Sequence, residues 1–195
     1  MIKINNYEQV ETFKTVPKLP KGAYILKVLD VEVLENSYGT KLKLAVDIAE
    51  GEYKDHYKQR YENRLKEDEK WKGNYYIPVP SGDDSETDET KAKIFKTAMD
   101  KFEASNKNFK CDADKGFDEQ TLKGLFIGGL FNSKSWEMDG RTGVFTNLKE
   151  LETVQNIKNG TYTLPSDDIK ENNAGVGSNG FMNIPDGIDE ELPFN

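Results

Sequence analysis

Residues 23–48 hold the pattern that most restricts the fold. From Thr40 to Ile48, the residues Leu42, Leu44, Val46 and Ile48 occupy alternate positions, with Lys41, Lys43 and Asp47 between them. A period of two gives a β-strand one apolar and one polar face. The preceding run, AYILKVLDVEVL over residues 23–34, is rich in β-branched residues and predicts a longer strand. Its alternation changes phase. Tyr24, Leu26 and Val28 share one face, then Leu29, Val31 and Val33 share the other. A phase switch inside one strand predicts a bulge or bend. Asn36-Ser37-Tyr38-Gly39 supplies a turn, so the two strands form an antiparallel hairpin.

The rest of the chain supplies partners for that hairpin. Residues 51–72 are charged and aromatic-rich, and are expected to give a third strand followed by a helical or loose insertion. GNYYIPV at 73–79 predicts a short strand, which Pro78 confines to an edge or a strand end. Residues 81–88 form an acidic loop. From Thr87 the apolar positions Ile94, Phe95, Ala98, Met99 and Phe102 follow helical spacing, with Ser85 or Thr87 as the cap. LKGLFIGGLF at 122–131 predicts a strand whose glycines imply strong curvature. Asp139-Gly140 is a hairpin signal between 135–137 and 144–146, and 148–157 reads as a last strand closed by Asn159-Gly160. Tyr24, Phe95, Phe102 and Phe126 are assigned to the core.

One helix between an N-terminal and a C-terminal strand group predicts a mainly β fold. The expected form is an OB-fold-like curved five-stranded barrel over residues 1–165. An α+β sheet with a packed helix is the competing architecture. Beyond Pro165 the chain turns to Asp, Asn, Gly and Ser, so 166–195 is expected to be a disordered acidic tail.

Charge is unevenly placed. The formal net charge is −8, yet 166–195 alone carries seven acids and one lysine, and 81–120 carries eleven acids and seven lysines. The remainder is left net basic, so a basic face on the body is allowed. A lone cysteine, Cys111, fits a reducing compartment. No apolar h-region opens the chain and no apolar run approaches the ~20 residues of a membrane span. The expectation is a soluble intracellular protein without a membrane partner.

Enzyme signatures are absent. His56 is the only histidine, has no nucleophile motif beside it, and is expected on the surface. No Cys/His zinc spacing and no phosphate-binding glycine loop occurs. The acids at 83–89 lack calcium-loop spacing. The reading is a non-enzyme with no cofactor and no metal.

Binding residues are more plentiful. Single strands are held by a basic groove and by aromatic faces on which bases stack. Lys41 and Lys43 share the polar face of the second strand. Lys58, Arg60 and Arg64 interleave with Tyr53, Tyr57 and Tyr61. Trp71 lies between two lysines and precedes Tyr75, and Trp136 and Arg141 flank the second hairpin turn. Lys41, Lys43, Lys58, Arg60, Arg64, Trp71, Tyr75, Trp136 and Arg141 are therefore the candidate DNA-binding residues. The plainer account of each is a core aromatic or a solvated cation.

The chain ends in Asp189-Glu190-Glu191-Leu192-Pro193-Phe194-Asn195. An acidic stretch closing on Leu-Pro-Phe resembles the tail of bacterial single-stranded-DNA-binding proteins. That family has an OB-fold core, a Gly/Asn/Gln-rich linker and an acidic hexapeptide ending in Pro-Phe. The resemblance implies that Asp189, Glu190, Glu191, Leu192, Pro193 and Phe194 bind replication or recombination proteins. It departs at Asn195, since the family's tail usually ends on the Phe. The body is similar to phage-encoded single-stranded-DNA-binding proteins of like length, through Leu122-Lys123-Gly124, Gly128-Gly129-Leu130-Phe131 and the run Ile157 to Pro165 (IKNGTYTLP). Together they imply a bacteriophage protein of DNA replication, recombination and repair. It would work in the cytoplasm of a bacterial host, as a monomer or a homo-oligomer. Two other readings stand beside it: a protein–protein adaptor without nucleic-acid affinity, and a metal-dependent nuclease.

Overall fold

The computed structural model describes residues 2–169, apart from 4, 10, 11, 13, 14, 38, 84, 114 and 115. Five antiparallel strands form one sheet: β1 (Gly22–Asn36), β2 (Gly39–Ile48), β3 (Asn74–Pro78), β4 (Phe126–Met138) and β5 (Arg141–Glu152). Three helices accompany it: α1 (His56–Glu62), α2 (Glu86–Ser105) and α3 (Val154–Asn159). The strand order is β3-β2-β1-β4-β5. The sheet has two open edges, β3 and β5, and α2 packs against both of those strands.

The first hairpin follows its sequence pattern. Leu42, Leu44, Val46 and Ile48 are all buried, and the β1–β2 register shifts between Val28 and Asp30, where the alternation changes phase. Leu29 is the extra residue, so Val28 and Val31 both reach the core. Asp139 and Gly140 take φ of 50° and 74° and join β4 to β5 with Met138 opposite Arg141. Two positive φ angles match the right-handed twist of a two-residue hairpin.

Helix α2 presents Ala98, Met99 and Phe102 to the sheet. Ser85 caps it, its side chain accepting from the Asp88 N–H at 3.1 Å. Asp88 turns back and accepts from the Ser81 and Gly82 N–H groups at 2.6 and 2.8 Å. Lys101 Nζ donates to the Leu151 carbonyl at 2.6 Å, which ties the helix to β5.

Several expectations are corrected. Residues 51–72 hold no strand; α1 occupies their middle. Residues 119–122 make a 3₁₀ turn, and β4 begins only at Phe126. The two segments expected at 144–146 and 148–157 are one strand, β5, followed by α3, which Thr153 caps by accepting from the Asn156 N–H. The paired glycines of β4 are sites of close approach. A Cβ on Gly128 would meet Ile157 at 2.6 Å, and one on Gly129 would meet Leu26 at 2.5 Å. Ile94 is exposed, Tyr24 and Phe95 are half-buried, and Phe126, assigned to the core, is 42% exposed. His56, expected on the surface, is 5% exposed.

The first residues of the expected tail lie against the sheet. Asp168 forms a parallel bridge with Lys134 of β4, through the Ser135 N–H to the Asp168 carbonyl and the Asp168 N–H to the Ser133 carbonyl. Asp167 is ion-paired with Lys21, and Asp168 with Lys149, each at 2.7 Å. The motif Asp189–Phe194 falls outside the described residues.

Candidate nucleic-acid interface

Asp47 organises the largest aromatic and basic cluster. It is 3% exposed, although its neighbours in the polar alternation of β2 are not buried. Its carboxylate accepts from the N–H groups of Ile48, Tyr57 and Lys58 at 2.8, 2.9 and 2.9 Å. The last two are first-turn donors of α1, which an α-helix cannot satisfy internally. The residue before α1, Asp55, sits at φ 58° and makes no side-chain cap. Asp47 therefore supplies the cap from β2. Burial pushes its carboxyl above the usual range, against the lowering effect of the three donors.

The cluster continues along α1. His56 lies edge-on between Tyr53 and Tyr57, at centroid distances of 6.5 and 5.2 Å. Trp71 packs 6.3 Å from Tyr57 and 5.7 Å from Tyr61. Its indole N–H donates to the Gly73 carbonyl at 3.0 Å, which pins the loop to the edge of β2 next to Val46. The Arg64 guanidinium stands 4.2 Å over the Tyr61 ring and donates to the Tyr61 carbonyl at 2.8 Å. Trp71, Tyr61 and Arg64 thus form one cluster, the two rings tilted at 56° to each other, with the exposed side chains of Lys58 and Arg60 on the same helix. Such a cluster brings aromatic rings and cations together.

His56 gives this cluster a pH response. Burial, and secondarily the Arg60 charge, lowers its pKa from 6.5. The unfolded chain then binds the proton more readily than the folded one. Stability is complete above 6.5 and is lost as the pH falls through the lowered folded value. The melting temperature is expected to drop between about pH 7.5 and about pH 5.5. His56→Phe keeps a ring between the two tyrosines and should abolish that drop. Equal drops in both proteins would refute the assignment.

Other candidates lie elsewhere. Lys41 and Lys43 are on the outer face of β2, and Lys43 is tied across the ladder to Glu32 at 3.0 Å. Tyr75 points inward beside Leu44, half-buried against the core. Its neighbour Tyr76, opposite Lys43 and 49% exposed, is the aromatic of that outer face. The alternation through Ile77 carried that signal, since a core residue at 77 turns 75 inward and 76 outward.

Trp136 covers Gly143 of the facing strand, where a Cβ would come within 2.5 Å of the indole nitrogen. It lines a cleft of about 220 Å³ with Glu137, Thr142, Val144 and Ile169. Arg141 is exposed at the tip of that hairpin. Between Lys41, which pairs with Leu34, and this hairpin, β1 runs back to Gly22 opposite Phe131. That is roughly 40 Å of strand at ~3.3 Å per residue. Eight of the nine candidates therefore fall into three groups, the β2 lysines, the α1 cluster with Trp71 and the β4–β5 tip, while Tyr75 is turned toward the core. Lys58, Arg60, Arg64 and Trp71 are brought together around Tyr57 and Tyr61, while Lys43 has the single aromatic Tyr76 opposite it.

Among the described residues, no group of three or more His, Cys, Asp or Glu side chains is placed to hold a metal ion, and no helix is long and apolar enough to cross a membrane. No protein-family model and no curated protein sequence matches the chain.

Proposed function

We propose that the protein binds single-stranded DNA, with the α1 cluster as its main contact surface. The Trp71–Tyr61–Arg64 cluster beside Lys58 and Arg60 carries this reading. It combines stacking faces with phosphate-seeking cations, the two elements that single-strand binding needs. The fold supports it. The order β3-β2-β1-β4-β5, with a helix between β3 and β4, is consistent with an OB-like fold. Helix α2 packs against both edge strands, β3 and β5. We read the sheet as an OB-like barrel that α2 bridges where no ladder does.

In this proposal the protein serves phage replication or recombination in a bacterial cytoplasm, and residues 189–194 recruit partner enzymes. Acids at 189–191 steer the tail toward a basic rim, and Phe194 fills an apolar pocket.

An oligo-dT titration at two salt concentrations tests the reading. Each neutralised phosphate of a single strand contributes about −0.7 to the slope of log K against log salt. Four to six such contacts imply an affinity loss of roughly 10²-fold between about 50 and 200 mM salt. A chain ending at residue 188 should keep this affinity and lose its capture of partner enzymes. Absent or salt-independent oligo-dT binding in the full chain would leave the adaptor reading in place.

A further inference from the structure

Phe126 is an exposed aromatic with an unusually fixed backbone. It is the first residue of β4, where a strand end ordinarily frays. The Asn106 side chain holds it at two points: Nδ2 donates to the Phe126 carbonyl at 2.7 Å, and the Phe126 N–H donates to Oδ1 at 3.0 Å. Asn106 is itself fixed, as the C-cap of α2, donating to the Phe102 carbonyl at 2.8 Å. The ring is thus presented at a set position while remaining 42% exposed. It lines a cleft of about 460 Å³ together with Lys107, Asn108, Lys110, Thr121 and Leu125.

The surroundings are basic. Lys27 is the direct cross-strand partner of Phe126, and opposed residues share a face with Cβ atoms about 5 Å apart. Glu103 offsets Lys110 at 2.6 Å, and Asp30 offsets Lys123 at 2.8 Å. No ion pair among the described residues engages Lys27 or Lys107. Lys27 also pairs on its other side with Asp47, the residue on which α1 starts. Phe126 and the start of α1 are therefore two strand spacings apart on one face, roughly 10 Å.

We infer that the Phe126 cleft is a second base-stacking subsite for the same single strand, with Lys27 and Lys107 on its phosphates, so that bound DNA crosses β1 between α1 and the C-terminal end of α2. The inference rests on the single-strand reading above. Cations and an aromatic face favour a nucleic acid over an acidic peptide, whose recognition needs no stacking platform.

The test uses the full chain and fluorescein-labelled oligo-dT. Phe126→Ala is expected to weaken binding roughly tenfold, the size of one lost base–aromatic stack. Phe126→Tyr should restore it, and Lys107→Ala should lower the salt slope by about 0.7. Urea unfolding should be little changed in all three. A 5-iodouracil-substituted strand should crosslink within residues 124–127. If the wild type binds oligo-dT and Phe126→Ala binds equally well, the subsite is wrong and the proposed function stands. If the wild type binds no oligo-dT, both fall. If a synthetic peptide of residues 186–195 binds through Phe126 while oligo-dT affinity ignores it, the cleft is a peptide site and the inference is overturned.

Discussion

Asp47→Ala is expected to destabilise the protein by about 3–5 kcal/mol and to release α1 from the sheet. The carboxylate is buried and accepts three backbone N–H groups. Removing it leaves three donors without acceptors, each costing about 1–3 kcal/mol, offset in part by water reaching the opened site. No side chain of the α1 N-terminus can take over, because Asp55 is in the left-handed region and makes no cap. Asp47→Asn keeps one acceptor oxygen and sheds a charge that burial disfavours, so its cost should be the smaller. Urea unfolding of the three proteins measures this order. In the same variants oligo-dT affinity should fall, although none of the exposed cations is altered. A loss under 1 kcal/mol in the alanine variant would show that α1 is held by other contacts.

Gly73→Ala is the second large effect, expected at about 3 kcal/mol. A Cβ there would sit 2.3 Å from the Val46 carbonyl oxygen and 2.6 Å from the Tyr57 ring. The first obstacle is backbone of β2, which cannot move without breaking its ladder. The start of β3 and the Trp71 loop must therefore shift. That shift strains two bonds to the Gly73 carbonyl, from the Val46 N–H at 2.7 Å and the Trp71 indole at 3.0 Å. Gly82→Ala is the control, because a Cβ there meets nothing within 4 Å and its cost comes only from φ of +80°. Comparable losses at the two positions would mean that the close approach is not what constrains residue 73.

The sequence reveals what short-range pattern controls. Alternation marked β1 and β2, its phase switch marked the bulge at Leu29, and Asp139-Gly140 marked the second hairpin. Helix α2 was legible from its periodic apolar face and from Ser85. Helix α1 was legible only as a helical or loose insertion within 51–72, because seven residues without a local cap are held by an aspartate of another element. The same long-range contact buries His56 and Asp47 in a stretch whose charge suggested exposure. The break between β5 and α3 had one local cue, Thr153 as a cap, which a run of apolar positions obscured.

The candidate site was legible in composition more than in arrangement. The Lys/Arg and Tyr/Trp mixture over residues 53–72 was visible, and the cluster of Trp71, Tyr61 and Arg64 comes from it. Which tyrosine of the pair 75 and 76 faces outward depended on register. Phe126 was misplaced because it alternates with buried Ile127 and so shares the outer face of its cross-strand partner Lys27.

The central position of β1 has a consequence for synthesis. One of its edges pairs with β2, the next strand made, but the other waits for β4, with Gly22 opposite Phe131. A ribosome adding residues at about 5–20 per second must make most of the domain before that edge is covered. During those seconds the edge of residues 22–27, which β4 will pair, is open to other nascent chains. The acids Asp30, Glu32 and Glu35 lie in the second half of the strand, which β4 does not pair, and there their charge disfavours pairing with another chain.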